Sequence, residues 1–340
     1  MSEYRTYLLN ENEIDIWDEY VDKSENGTIF HKYEWLKIAE EHTGMRLFPV
    51  AVYKGNSLVC LFPLFYQKRY GYRIILSPPN GCAIPHLGPV LIISASNRYN
   101  YEKTYIDIID EILLFAEQKV GFDYVRIINT PELFDMRPYI WKKYKVKPNY
   151  TYIFDLKITS DEIFYSFHSS TKNAIRKTQK NTEISISYDR KYLYDTLSMV
   201  RIRYSDQNRK FKISDRYIEK LLNGAFTGNI ESTTIMLNGN ILAGTIDLSD
   251  GKNVYGWIGS VKRNGNISGG GEFLLWEKIK EYQNRGYTSY DIVGANTRHL
   301  CNHKAKYGAR LVPYFVIDNS SGKGKIGLEL MKLTGKANYD

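Results

Sequence analysis

The chain has 340 residues, of which 43% are apolar and 25% are charged, an ordinary composition for a globular protein. Its length predicts two domains and a core that needs no disulfide or metal for stability. Lysine and arginine outnumber aspartate and glutamate by 46 to 38, and the net charge of +8 favours anionic partners. Phosphates, nucleotides, tRNA and an acidic membrane surface all fit this charge, and a soluble protein with surplus lysines is the alternative explanation.

Hydropathy and cysteine usage exclude further classes of protein. The longest apolar stretch, residues 58–66, is interrupted by Pro63 and is about half as long as a transmembrane helix, so we expect no integral membrane segment. Residues 1–20 lack the basic start and apolar run of a signal peptide. The three cysteines are scattered and form no CxxC pair, which predicts a reducing, cytoplasmic location.

The first half of the chain predicts a short helix, an antiparallel hairpin and a longer helix that leads into a strand. Apolar residues at helical spacing predict helices near 33–42 and over 106–120, the second ended by Gly121. Residues 77–89 are rich in proline and glycine and are expected to form a loop. Strands are expected at 47–53, 57–67, 72–76 and 124–128.

The second half repeats this order. One helix is expected over 160–180, with basic residues that are either solvated or face a phosphate-bearing ligand. Asn238-Gly239 and Asp250-Gly251 are strong hairpin signals. Further helices are expected at 191–206, 214–224, 271–285 and 296–307. Strands are expected at 183–188, 231–237, 241–249, 253–260, 289–293 and 310–317.

The two halves can be overlaid on their hairpins and on the glycines that end their long helices. Gly55 then matches Gly239, and Gly121 matches Gly286, with extra residues of the first half expected in and after the proline-rich loop. We therefore predict an α/β (α+β) fold of two tandem domains, with mixed, mostly antiparallel sheets flanked by helices. The domains are expected at 1–150 and 151–340, with the last residues packing back on the first domain. Tandem duplication explains the overlay, and chance similarity of hairpin–helix–strand units is the alternative.

A glycine-rich loop between a strand and a helix is the first candidate binding site. Free backbone N–H groups at a helix N-terminus attract phosphate, and glycines allow it to approach closely. The loop is not a P-loop, because no GK[ST] follows, and it is not a dinucleotide fingerprint, because the preceding strand belongs to an antiparallel meander. A flexible loop before a glycine-rich helix start is the alternative. The predicted phosphate contacts are Asn266, Ser268, Gly269, Gly270 and Gly271.

Asp291 and Lys304 form the second candidate site. Asp291 lies on a predicted strand among apolar neighbours, so its carboxylate must be paired or functional. Lys304 lies on the helix that follows. A lysine near a carbonyl can stabilise developing negative charge, and a carboxylate can take a proton from an attacking amine. The spacing alone favours a structural ion pair between the two.

The remaining motifs give no metal or nucleophile site. His299 and His303 are four residues apart on a predicted helix, a spacing that can bind zinc. Cys301, however, points to a different face of that helix, and the sequence has no HExxH glutamate. No motif supports a Ser–His–Asp or Cys–His arrangement. We therefore expect no metal site.

Taken together, these segments resemble the Fem-type acyltransferases, the double-domain branch of the GNAT superfamily that includes the enzymes building peptidoglycan interpeptide bridges. The resemblance covers nearly the whole chain. It rests on residues 28–35 ("F…eW"), 170–180 ("RxxIRKAxK"), 238–248 (a hairpin), 289–294 ("fDlgG") and 303–308 ("FKxxFG").

The chain departs from the family pattern at three points. His303 and Tyr307 replace the two phenylalanines of "FKxxFG". The sequence has no inserted pair of long heptad-bearing helices, which the tRNA-dependent bridge enzymes carry. Asn266, Gly269 and Gly271 resemble the acyl-CoA pyrophosphate loop "[QR]xxGx[GA]", with asparagine in the first place. The missing helices argue against an aminoacyl-tRNA donor, and although the asparagine weakens the match of the loop, the resemblance favours a thioester donor such as acyl-CoA.

The resemblance implies an acyltransferase that moves an acyl group from an acyl-CoA-type donor to an amine or hydroxyl of a cell-envelope sugar or peptide precursor. No tightly bound cofactor is expected. Lys304 would stabilise the oxyanion or contact the donor ester, Asp291 would assist proton removal, and the glycine-rich loop would hold the donor phosphates. The residues expected to bind substrate are Arg176, Arg203, Tyr255 and Trp257.

Two other functions stay open at this point. An aminoacyl-tRNA-dependent bridge enzyme would need a basic surface and would bind with strong salt dependence. A non-catalytic module binding anionic glycans or nucleic acid would keep its binding when Lys304 is replaced. A peripheral membrane contact is compatible with each function.

Overall fold

The computed structural model describes residues 3–261 and 269–325. The chain divides into two compact units, one within Met1–Asn149 and Pro313–Asp340, the other Tyr150–Val312. The described strands are β1 (Tyr4–Leu8), β2 (Arg46–Lys54), β3 (Ser57–Arg69), β4 (Tyr72–Ser77), β5 (Val90–Leu91), β6 (Tyr124–Ile128), β7 (Lys145–Asp155), β8 (Ile184–Ser187), β9 (Ile230–Leu237), β10 (Asn240–Ser249), β11 (Asn253–Val261), β12 (Ser289–Asp291) and β13 (Arg310–Ser320).

Ten α-helices lie among the described residues, in addition to short 3₁₀ turns and one π turn at Ala116–Val120. They are α1 (Trp17–Lys23), α2 (Tyr33–Thr43), α3 (Arg98–Phe115), α4 (Arg137–Trp141), α5 (Ser160–Ser166), α6 (Ser169–Gln179), α7 (Leu193–Asp206), α8 (Asp215–Asn223), α9 (Gly270–Asn284) and α10 (Arg298–Lys304). None of these helices is long and apolar enough to span a bilayer.

In the first unit the strands follow the order β1-β2-β3-β4-β6-β13, with β5 beside β3. Neighbours are antiparallel except β4 and β6, which run parallel because α3 carries the chain back between them. The apolar face of α3 packs into the core of this unit. Each large side chain buried there stabilises the fold by about 1.5–3 kcal/mol.

The second unit repeats this topology in the order β8-β9-β10-β11-β12-β7. Here β11 and β12 are the parallel pair, and α9 connects them. The core collects the apolar face of α9 together with aromatic residues of β7 and α5. Both units therefore have the predicted hairpin–helix–strand order. The first half has a longer segment between the strand and the long helix. Residues 78–97 separate β4 from α3, whereas only residues 262–269 separate β11 from α9. The predicted α/β fold class is confirmed.

The single helix predicted over 160–180 is wrong, because the chain breaks between α5 and α6. Phe167 leaves the helical conformation at ψ 143°, and its ring packs against Phe154, Phe164, Trp276 and Tyr307. Burial of this ring outweighs one turn of helix, since burying a phenylalanine contributes about 1.5–3 kcal/mol. The next helix then restarts from a new N-terminal cap.

Other elements differ from the sequence prediction at their ends or were not predicted. The sequence did not predict β1, α1 or β7, the last of which contains Pro148. β12 ends two residues early, at Asp291, because Val293 and Gly294 adopt positive φ values of 44° and 72° that no strand accommodates. This early end is what opens the site described below.

The close approach of β10 to α7 gives a test of the packing in the second unit. A Cβ atom at Gly244 would overlap Thr196 Oγ1 and would lie 3.1 Å from Thr196 Cβ. Because Thr196 is fully buried, we expect Gly244→Ala to lower the free energy of unfolding by about 1–3 kcal/mol. Urea denaturation measures this loss. Gly228→Ala, where an added Cβ meets nothing within 4 Å, is the matched control, and equal effects of the two variants would contradict the packing.

Candidate functional site

A cavity of about 650 Å³ opens in the second unit where β11 and β12 separate. The two strands pair only from Asn253↔Ser289 to Tyr255↔Asp291. β12 then ends, whereas β11 continues to Val261 and pairs with β10. Residues 256–259 and 292–294 line the cavity. Beyond Tyr255, no described strand is paired with β11 on the side that faced β12, so an extended ligand can pair with that edge.

Four of the predicted site residues line this cavity. They are Arg203 on α7, Trp257 on β11, Gly271 on α9 and Lys304 on α10. Gly269 is the N-cap residue of α9 at φ 107°, and a Cβ there would come within 2.9 Å of Thr178 Oγ1, so the position favours glycine. The N-terminus of α9, with its unbonded N–H groups, thus reaches the cavity wall at Gly271.

Several predicted site residues within the described ranges do not line the cavity. Arg176 is exposed on α6, with its guanidinium 5.4 Å from the ring centroid of Phe164. Tyr255 is buried, and its hydroxyl donates a 2.9 Å hydrogen bond to Asp250. Gly270 begins α9 beside the cavity-lining Gly271. Asn266 and Ser268 lie outside the described residues.

Lys304 holds the turn at residues 292–294. Its ammonium donates to the carbonyl of Ile292 at 2.7 Å, to that of Gly294 at 3.2 Å, and to that of Val293. Burial lowers the pKa of Lys304 to about 8, although the nearby charge of Asp291 opposes this shift. Three converging carbonyls use all three ammonium N–H groups, so in this arrangement Lys304 fixes the cavity wall.

Asp291 supports the same turn from inside the unit. It is only 3% exposed and does not line the cavity. Its Oδ1 accepts hydrogen bonds from the Thr151 hydroxyl and, at 2.8 Å, from the Val293 N–H. The buried carboxylate thus serves the backbone bend that ends β12, which is how a buried charged group is commonly accommodated.

A buried charge network that the sequence analysis missed lies at the inner wall of the cavity. Lys278 Nζ is 2.9 Å and 2.7 Å from the two carboxylate oxygens of Asp247, and it also donates to Thr245 Oγ1 at 2.9 Å. The hydroxyls of Tyr282 and Tyr290 each donate to Asp247 at 3.0 Å. All but Tyr282 line the cavity.

Burial sets the protonation of this network. The side chains of Asp247 and Lys278 are 1% and 2% exposed. Burial lowers the pKa of Lys278, while Asp247 raises it. Burial and the charge of Asp247 raise the pKa values of Tyr282 and Tyr290 well above 10, so both remain hydroxyl donors. Two features of the sequence could have indicated this network. Asp247 lies inside the apolar run of β10, and Lys278 lies on the apolar face of α9.

The buried pair predicts a large loss of stability when one partner is removed. Lys278→Met leaves Asp247 buried without its counter-ion, and we expect the free energy of unfolding to fall by about 3–5 kcal/mol in urea denaturation. Adding Asp247→Asn should recover part of this loss, because a neutral amide keeps acceptors for the two tyrosines. Lys280→Met, on the same helix but paired with Glu277 nearer the surface, is the control. A loss as small as that of the control would contradict the assignment.

Lys304 predicts a specific pH dependence of stability. Its pKa drops from 10.5 in the unfolded chain to about 8 in the folded protein, so the unfolded state binds more protons between these values. Relative to Lys304→Met, the wild-type free energy of unfolding should therefore rise as the pH increases through this window. The gain between pH 7.5 and 9.5 should be about 2 kcal/mol in urea denaturation. A difference between the two proteins that does not vary with pH would refute the burial of this ammonium.

No group of three His, Cys, Asp or Glu side chains that could hold a metal occurs within residues 3–261 and 269–325. His299 and His303 both line the cavity instead. The site therefore consists of an open strand edge, a helix N-terminus, two arginines (Arg203 and Arg209) and a lysine-held turn around one cavity. This arrangement suits an extended, anionic ligand that places a reactive group near residues 292–294.

The sequence and the fold of this chain are similar to those of known acetyltransferase domains and related structures. Residues 166–304 match the family model of the acetyltransferase (GNAT) domain. No curated protein sequence matches the chain. FemX has a similar structure, with a TM-score of 0.68, 13% identity, and coverage of 97% of this chain and 99% of that chain. L-PGS from Bacillus licheniformis gives a TM-score of 0.57 at 12% identity, covering 98% of this chain and 99% of that one.

A tandem GNAT protein from the clavulanic acid biosynthesis pathway is also similar, with a TM-score of 0.51, 10% identity, and coverage of 94% of this chain and 99% of that chain. At these identities the structural likenesses concern the fold, whereas the family match concerns the domain that contains the cavity. The resemblance read from the sequence is thus confirmed. Residues 166–304 match a GNAT acetyltransferase domain, and the chain as a whole shares the double-domain fold of FemX and of the tandem GNAT protein, which supports an acyltransferase.

Proposed function

We propose that the second unit transfers an acyl group from an acyl-CoA-type donor to an amine or hydroxyl of a cell-envelope sugar or peptide precursor. The separation of β11 from β12 at the cavity carries this proposal. The arm of acyl-CoA is extended and contains amide groups. It can therefore pair with the open edge of β11 much as an added strand would.

The donor phosphates are assigned to the N-terminus of α9 and to Arg203 and Arg209. Both arginines line the cavity, and neither makes a salt bridge to an acidic residue in the described ranges. Glu272 places a carboxylate in the first turn of α9, so the attraction for phosphate depends on these arginines as well as on the helix terminus. The net charge of +8 also favours the binding of phosphate groups.

The proposed chemistry rests on positioning. The acceptor nitrogen or oxygen attacks the acyl carbonyl carbon, and the bond to the donor sulfur breaks. Lys304 acts as a positioning residue, because its N–H groups hold the carbonyls of residues 292–294 at the cavity wall. Asp291 fixes the same turn through the Val293 N–H. Holding donor and acceptor in one cavity lowers the barrier by converting a bimolecular reaction into an effectively unimolecular one.

The acceptor class is inferred from the Fem-type resemblance and from the likeness to FemX. The cavity volume of about 650 Å³ is within the range of small-molecule sites, which supports binding of a donor arm beside a small acceptor group. Trp257 lines the same cavity and supplies an aromatic side chain against which the ring of a sugar can pack.

An aminoacyl-tRNA donor is the second candidate, and the surface of α6 favours it. Arg176, Lys177 and Lys180 are exposed there. α6 packs against the start of α9, since Ala174 and Thr178 surround Gly269. A basic surface beside the phosphate end of the cavity could follow a nucleic-acid backbone, and such binding weakens steeply with salt.

Calorimetric titration with acetyl-CoA tests the proposed donor. Gly271→Asp places an anion where the phosphates are expected, and it should weaken binding at least tenfold. Gly271→Ala adds a neutral Cβ at the same position and should change binding less than threefold. Aspartate in the first turn of a helix stabilises it by about 0.3–1 kcal/mol, so lost binding in Gly271→Asp would not reflect unfolding. Thermal denaturation of both variants verifies this point.

The same titration separates the two donors. No heat with acetyl-CoA in the wild-type chain would remove the acyl-CoA donor. Binding of tRNA that falls steeply between low and moderate salt would then favour aminoacyl-tRNA. Equal acetyl-CoA affinities for Gly271→Asp and Gly271→Ala would exclude the N-terminus of α9 as the phosphate site.

A further inference from the structure

His303 and Tyr307 form a hydrogen-bonded pair at the wall of the cavity. The two residues are one helical turn apart, where α10 passes into a 3₁₀ turn, and both line the cavity. His303 Nε2 lies 2.7 Å from the Tyr307 hydroxyl, and the rings meet edge to face with centroids 5.2 Å apart. Tyr307 is only 7% exposed, so its ring is a fixed support. Both positions are phenylalanine in the Fem-type motif, and the pair departs from that motif.

We propose that His303 is the general base of the acyl transfer and that Tyr307 is the positioning residue that orients it. This inference rests on the proposed function. The acceptor nitrogen forms a bond to the acyl carbonyl carbon while its proton moves to the imidazole. The bond from carbon to the donor sulfur then breaks, and the thiolate takes the proton from the imidazolium. Amide and free thiol leave, and His303 returns to its neutral form, so atoms and charges balance.

The direction of the hydrogen bond between His303 and Tyr307 determines which ring nitrogen can accept the proton, and the proposal requires Nε2–H as the donor. Burial raises the pKa of the Tyr307 hydroxyl, so this group stays protonated. When Nε2–H donates to the Tyr307 oxygen, the lone pair is on Nδ1. Nδ1 makes no hydrogen bond to any described residue and is therefore available to a substrate. The contact fixes the orientation of the ring, and the proposal assigns the proton to Nε2.

The charges around His303 keep it neutral near pH 7. Desolvation lowers its pKa below 6.5, and the positive charges of Lys306 and Lys304 and the neighbouring His299 act in the same direction. Glu272, at the start of α9, opposes them. A base works best when its pKa lies near the working pH and its unprotonated form dominates.

Other groups near the cavity are less suited to accept a proton. All three N–H groups of Lys304 are directed at backbone carbonyls. Asp291 does not line the cavity, and Asp247 is held by Lys278 and two tyrosines. His299 lines the cavity, but no hydrogen bond within the described ranges fixes its ring. Among these groups His303 alone combines a fixed ring with an available nitrogen.

The decisive experiment measures steady-state acetyl transfer from acetyl-CoA to two amine acceptors, glucosamine and alanine amide, as a function of pH. His303→Gln keeps a polar partner for Tyr307 but cannot act as the base, and His303→Phe restores the residue of the family motif. We expect both to lower kcat roughly 100-fold, to leave KM within about twofold, and to remove the acidic limb of the pH profile. Tyr307→Phe should change the apparent pKa of that acidic limb. Asn302→Ala, exposed on the same helix, is the control for helix disturbance and should match wild type.

A second measurement needs no turnover. Nitrogen-15 NMR of the histidines in the full chain should show His303 protonated on Nε2 at neutral pH, with a pKa below that of an ordinary histidine. Tyr307→Phe should change both properties, whereas Asn302→Ala should change neither.

Several results would overturn the proposal. His303→Gln with full kcat and an unchanged pH profile, in a wild type that is active, would remove the base and leave the acyltransferase function standing. The assignment of His303 as the base would also be overturned if the acidic limb of the pH profile disappeared in His299→Gln but persisted in His303→Gln. NMR spectra that show His303 protonated on Nδ1 would overturn it as well. A wild-type chain that binds acetyl-CoA but acetylates neither acceptor would overturn the proposed reaction, and the base assignment with it.

Discussion

The separation of two parallel strands is the constraint on which the site depends. β11 and β12 are paired up to Tyr255 and Asp291, and there β12 stops because Val293 and Gly294 take left-handed backbone conformations. Such a bend persists only where neighbouring groups hold it. Lys304 binds its carbonyls from the cavity side, and Asp291 binds its Val293 N–H from the interior. The turn thus keeps the edge of β11 open, and the cavity exists because of it.

The buried pair of Asp247 and Lys278 complements this turn on the inner wall. An ion pair excluded from water adds little net stability compared with apolar packing, but removing one partner is costly. With Thr245, Tyr282 and Tyr290 completing its hydrogen bonds, the pair ties β10, α9 and β12 into one arrangement.

Local signals were sufficient for most of the secondary structure. The hairpin glycines, the apolar spacing of α3 and the glycines that end α3 and α9 correctly predicted elements whose conformation is decided within a few residues. The helix predicted over 160–180 failed because Phe167 is drawn into the core by rings that lie far away in the sequence. Long-range burial outweighed helical propensity there, and no local pattern could have revealed it.

The sequence by itself determined the α/β class, the repeated hairpin–helix–strand order and the resemblance to Fem-type enzymes, because periodicity, turn residues and motif order are properties of neighbouring residues. It also indicated Lys304, Gly271, Arg203 and Trp257, which meet at one cavity. Only the tertiary structure decided that Asp291 faces the interior, that Asp247 pairs with Lys278, and that His303 binds Tyr307 at the cavity wall. Those partnerships depend on side-chain direction and burial, which are set when distant segments pack together.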